Sequence, residues 1–124
     1  MFTLASRKKF IAHHHLSFEP DDAHPLRSHV YLLEVMLEAE ELDSQGMVLD
    51  LDELDAEIED ILSLYRYKNL NETDAFKEKI PTLESFARVL GDAIDESLYA
   101  PNLTAISVRL WRDEDAWALY DIEK

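Results

Sequence analysis

The chain has 124 residues, of which 27 are acidic and 12 basic, giving a net charge of −15, and it has no cysteine. The length suits one domain, 1–124, with a core that needs no staples, and the missing cysteines exclude disulfides, thiolate zinc clusters and cysteine-based catalysis. The negative field repels phosphate backbones and anionic lipid, so neither nucleic acid nor a membrane is expected as partner; with no signal-like or membrane-length apolar run, the expected location is the cytoplasm.

Residues 2–17 alternate in polarity. Phe2, Leu4, Phe10, Ala12, His14 and Leu16 share one face, and Arg7, Lys9, His13 and His15 the other. After the turn-rich "SFEPDDAHPL", residues 27–39 alternate more strongly, with Arg27, His29, Tyr31, Leu33, Val35 and Leu37 opposite Glu34, Glu38 and Glu40. The period then changes. From Asp50, an N-cap with Glu53 three residues on, Leu51, Leu54, Ile58, Ile61, Leu62 and Tyr65 fit one helical face. The polar loop "YKNLNETDAFKEKIP" leads to a second helix opening at Thr82, with Phe86, Val89, Leu90, Ile94 and Leu98 as its buried stripe. Residues 103–112 alternate again, with Ile106, Val108, Leu110 and Arg112 on one face, and after "DED" the stretch "AWALYDI" makes a last strand. The pattern predicts an α+β fold of order ββααββ, a four-stranded antiparallel sheet with two helices on one face.

The run "FIAHHHL" suggests a metal, but neighbours in a strand point to opposite faces, so its three histidines cannot converge on one ion. Only His14 lies on the apolar side. His29 heads the same face of the next strand, so the two can meet near adjacent strand ends. Two imidazoles are an incomplete metal site, because a catalytic zinc needs a third protein ligand. The residue two before His29 on its face is Arg27, which has no lone pair to give. A pair of hydrogen-bonded, half-buried histidines without metal is the plainer reading.

Six segments resemble the 6-pyruvoyl-tetrahydropterin synthase and 6-carboxytetrahydropterin synthase family over essentially the whole chain. "FIAHHHL" is similar to the family's F-x-A-A-H-x-L, and "RSHVYLLEV" to its H-G-H-x-Y-x-V-x-V. "SQGMVLDLDEL" resembles G-M-V-x-D-hydrophobic-x-x-L, "YKNLN" resembles D-H-K-N-L-N, and "PTLESFA" resembles P-T-x-E-N-hydrophobic-A. "VRLWRDEDAWALY" resembles V-x-V-x-E-T-x-x-x-W-A-x-Y. The resemblance implies a T-fold whose subunits join sheets edge to edge into a barrel, as a homo-trimer or a homo-hexamer of two stacked trimers. It also implies interface active sites in which zinc on three histidines activates dihydroneopterin triphosphate. A glutamate there anchors the pterin, and a cysteine and an aspartate–histidine pair move protons.

Carried over residue by residue, that site is degenerate. His14 and His29 match two zinc ligands, but the third falls on Arg27, the cysteine near Ala23, the aspartate–histidine pair on Arg66 and Tyr67, and the pterin-anchoring glutamate on Arg112. Thr82 and Glu84 of the pterin-pocket segment are retained. No cofactor is expected; zinc would bind only if His24, a water or a neighbouring subunit completed the site. Tyr67 can move a proton, but a phenol with a pKa of about 10 suits that role poorly at neutral pH. A guanidinium offers only donors, so Arg112 would face the N–H donors of a pterin with donors of its own.

Three of the chain's six arginines, Arg27, Arg66 and Arg112, replace residues of the family site. Clustered in an acidic protein, they would suit a carboxylate or phosphate held by paired hydrogen bonds. Three readings stay open: a small-molecule pocket at a subunit interface repurposed for an anion, a non-catalytic structural or interaction protein, and a pterin-pathway lyase with a modified site. Weaker candidates are His24, as a substitute ligand or base, and Asp21 and Asp22 beside it, as a labile metal site or simply turn formers. "DLDELDAEIED" reads as a solvated helix face and lacks the glycine and spacing of a calcium loop. Trp111 and Trp117 flank a turn and are expected to pack.

Overall fold

Alternation decides which face of the sheet is covered. The computed structural model describes residues 1–18 and 23–124; Asp21 and Asp22 lie outside the described residues. The chain runs through β1 (Phe2–His14), β2 (Arg27–Ala39), α1 (Leu51–Leu62), α2 (Leu83–Ser97), β3 (Leu103–Arg112) and β4 (Ala116–Glu123). The sheet order is β1-β2-β3-β4, every neighbouring pair antiparallel. Phe10 and Ala12, Tyr31 to Leu37 at every second residue, and Ile106, Val108 and Leu110 are buried beneath Leu54, Ile58 and Leu62 of α1 and Phe86, Leu90 and Ile94 of α2. Helix α1 lies over β1, and α2 lies over β3 and β4. The order and the one-sided helix layer agree with the sequence expectation.

Local chemistry starts each helix. Asp50 accepts the Asp52 N–H at 2.9 Å, and Thr82 accepts the Ser85 N–H at 3.1 Å, filling donors that the first turn leaves unpaired. Helix α2 comes very close to β4 at Gly91, where an added Cβ would lie 2.5 Å from the Tyr120 ring. Among the described residues, no helix is long and apolar enough to cross a membrane.

Three expectations need correction. Strand β1 ends at His14 instead of continuing to residue 17, because the next backbone is captured by a side chain. Asn71 accepts the His15 N–H at 2.9 Å and donates to the carbonyls of His15 and Ser17 at 3.1 and 3.2 Å. That capture breaks the alternation: His15 turns inward and is 4% exposed, while Leu16 is 40% exposed. The expected polar loop is also more ordered than its composition suggests. It contains two 3-10 turns, Leu70–Glu72 and Asp74–Phe76, and it buries Leu70 and Phe76. Its start lies against the edge of β1, with the His13 N–H donating to the Lys68 carbonyl and the Tyr67 N–H to that of Ile11.

Candidate active site

His14 closes β1, and Arg27, its Cα partner, opens β2; His29 pairs with Ala12 two residues further in. The strand pleat therefore puts both imidazoles on the helix-covered face, as the alternation predicts. Their rings stack with centroids 4.8 Å apart and planes 27° from parallel. Beneath them Tyr31 meets His29 edge-on and stacks on Phe10, and an aromatic cluster around Phe86 closes the floor. Arg112, at the end of β3, is the Cα partner of Tyr31.

Asp113 is a site residue that the sequence reading missed. Its carboxylate bonds His29 Nδ1 through one oxygen and accepts the Val30 N–H at 2.9 Å through the other, while its own N–H donates to the Val30 carbonyl at 2.8 Å. Strict alternation would send it to the face opposite Arg112. Instead Asp113 and Glu114 adopt left-handed φ of 52° and 67°, and the turn swings the carboxylate back to β2. Burial would raise the Asp113 pKa, but the Val30 N–H, His29 and Arg112 together hold it below the ordinary carboxylate value.

The histidine nitrogens are the unusual feature. Both ring nitrogens of His14 and Nε2 of His29 are buried and have no hydrogen-bond partner among the described residues. Burial, then the charges of His29, Arg112, His15 and Arg27, pull the His14 pKa down to about 4. His14 is thus neutral at pH 7, with one N–H donor and one lone pair both unmet among the described residues. Burial also pushes the Tyr31 phenol up, which keeps it a neutral donor.

The remaining expected residues divide. Arg27 and Arg112 come to the histidines and act electrostatically on His14. Arg66 does not: it lies just past α1, where its guanidinium grips Glu59 through two nitrogens at 3.0 and 3.4 Å. Tyr67 is 69% exposed in a left-handed conformation with φ 60°. Thr82 is occupied as the α2 cap, Glu84 projects from the first turn of α2, and His24 is exposed ahead of β2.

Zinc on three histidines does not fit these residues. Two imidazoles are in place, but the residue paired with His14 and next to His29 on the same face is Arg27, whose guanidinium has no lone pair to give, and Arg112 adds a second positive charge. Among the described residues, no group of three His, Cys, Asp or Glu side chains could hold a metal ion.

The chain matches the family model described as 6-pyruvoyl tetrahydropterin synthase over residues 3–123. It belongs to the 6-pyruvoyl tetrahydropterin synthase family. No curated protein matches it. Of solved structures, the 6-pyruvoyl tetrahydropterin synthase of Caenorhabditis elegans is 22% identical, with 99% of this chain and 95% of that one covered, at a TM-score of 0.76. The Plasmodium vivax 6-pyruvoyltetrahydropterin synthase is 12% identical, with coverage of 99% and 98%, at a TM-score of 0.81. An uncharacterized protein from Wolinella succinogenes is 15% identical, with coverage of 98% and 97%, at a TM-score of 0.70. At these identities the likeness is one of fold, so this member's chemistry has to come from its own residues.

Proposed function

We propose that this member of the 6-pyruvoyl tetrahydropterin synthase family has lost the zinc-dependent lyase reaction and binds a small hydroxylated anion in the inherited pocket. The observation that carries this reading is the set of three buried imidazole nitrogens with no partner among the described residues, within the electrostatic reach of Arg27 and Arg112. The two guanidiniums supply forked donors for a carboxylate or phosphate. Neutral His14 adds one donor and one acceptor, and His29, donating from Nδ1 to Asp113, adds an acceptor at Nε2. A ligand with an anionic head and an adjacent hydroxyl meets the guanidiniums, the His14 N–H and one of the two imidazole lone pairs, and a second hydroxyl would meet the other; a bare apolar molecule satisfies none.

The protein acts as a homo-oligomer, trimer or hexamer, because β4 and the part of β1 before Ile11 leave two sheet edges for pairing. Light scattering at micromolar concentration would refute this by showing a monomer. The Arg66–Glu59 pair favours the second reading, a non-catalytic scaffold, since a decayed site leaves its arginines paired with local acids.

Thermal shift separates the two. Phosphate and a hydroxy acid such as malate are expected to raise Tm, with succinate weaker and the effect falling as NaCl rises. At a hundredfold excess over Kd the gain is about 2.7 kcal/mol, or several degrees for a chain of this size. Arg112→Ala should abolish it. No shift with any anion, or an equal shift in Arg112→Ala, refutes the pocket and leaves the scaffold. One zinc per chain by elemental analysis would overturn the metal-free reading and return the lyase with a modified site.

A further inference from the structure

At the opposite end of the sheet from the histidines, the start of β1, the loop after β2 and the first turn of α1 enclose a cleft of about 460 Å³. Its walls include Phe2, Leu42, Met47 and Leu51, each between 38% and 47% exposed. The loop that walls the cleft is fixed by side chains bonded to its backbone. Asp43 Oδ1 accepts the N–H groups of Gln45 and Met47, the Asn102 amide donates to the carbonyls of Glu41 and Val48, and Gly46 takes the left-handed φ of 79° that closes the loop.

Charge is distributed unevenly around it. Residues 28–65 contain 12 of the 27 acidic residues and no lysine or arginine, so this third of the chain carries −12 of the net −15. Glu40, Glu41, Asp43, Asp50, Asp52 and Glu53 are exposed at the cleft or beside it, and none joins an ion pair among the described residues. Several exposed apolar side chains grouped in a preformed cleft mark an interaction surface. The rim decides among occupants. A second copy meeting this surface face to face brings the same carboxylates to it, and anionic lipid or nucleic acid is repelled.

From this charge complementarity we infer that the cleft docks a cationic amphipathic segment of another protein, with one or two apolar anchors in the cleft and flanking lysines or arginines against the rim. The mode is that of an amphipathic helix laid in a groove, with the apolar anchors giving affinity and the charges giving on-rate and selectivity.

The test uses a fluorescent peptide of leucine and lysine with its leucines on one helical face, and a scrambled peptide of the same composition. The faced peptide should bind more tightly by anisotropy, and its amide shifts should be confined to residues 2–4 and 42–52. A Met47→Ser/Leu51→Ser double variant should lose about tenfold in affinity, as truncated anchors do; Phe2→Ser repeats the test if the double variant unfolds. Equal binding by the scrambled peptide, unchanged affinity in the serine variants, or shifts spread along the acidic surface would overturn the inference. A change of oligomer size in the variants would also overturn it, by assigning the cleft to a second copy.

Discussion

His14 should make the protein acid-sensitive in a window that one substitution removes. Its pKa is about 4 in the fold against 6.5 in the unfolded chain. Between those values the unfolded chain binds more protons, so stability rises with pH there and falls on acidification. The loss begins as pH drops below the unfolded value and levels off near the folded one. The difference, at roughly 1.4 kcal/mol per unit, comes to about 3 kcal/mol, a large share of a typical domain's stability of about 5–15 kcal/mol. His14→Leu removes the titrating group and the two nitrogens that find no partner among the described residues, while keeping the volume apolar. It should therefore equal or exceed wild type at neutral pH and lie clearly above it at the acid end of the window. Urea midpoints from neutral pH to about 4, in buffers free of phosphate and sulfate, measure the difference, and an NMR titration of the His14 ring reads its pKa directly. Asp113 acts elsewhere: its depressed pKa means its contribution is lost only as pH falls below its ordinary 3.8. A His14 ring titrating near 6.5, or parallel pH slopes for wild type and variant across the window, would refute the reasoning.

Gly91→Ala would push a methyl into the Tyr120 ring and should cost about 1–3 kcal/mol as overpacking does; Tyr120→Leu in the same chain should recover part of the lost Tm. Asn71→Ala removes three bonds to the backbone of His15 and Ser17, so it should lower stability by about 1–3 kcal/mol and speed exchange of the His15 amide, measured by hydrogen exchange. Arg66→Ala breaks a pair whose side chains are 30% and 45% exposed, so less than about 1 kcal/mol should be lost in a urea melt. The same variant should keep the full thermal shift with phosphate, and a lost shift would return Arg66 to the ligand site.

The strands and helices were legible because each buries one face and repeats at its own period. Tyr31 to Leu37 and the Phe86–Leu90–Ile94 stripe could be read residue by residue. The meeting of His14 with His29 followed from the same alternation. Legibility failed where a side chain, not a periodicity, decides the backbone. Asn71 turns His15 inward, and no pattern in "HHHL" announces a partner 56 residues away. Asp113 escaped notice because its position past the strand end gives it no face until the left-handed turn supplies one. Arg66 shares a sequence context with Tyr67 but not a location with Arg112, since Glu59, seven residues earlier, holds it first.

The hairpin between β3 and β4 places two non-glycine residues, Asp113 and Glu114, in left-handed conformations. Asn-Gly is the pair that such turns favour, so an engineer seeking thermostability would write Asp113→Asn and Glu114→Gly. That exchange relieves the backbone and exchanges the carboxylate on His29 for a neutral amide. Selection for a tougher hairpin and selection for a correctly aimed imidazole thus act in opposite directions on one residue, and a library screened for heat resistance alone should drift away from binding at this position first.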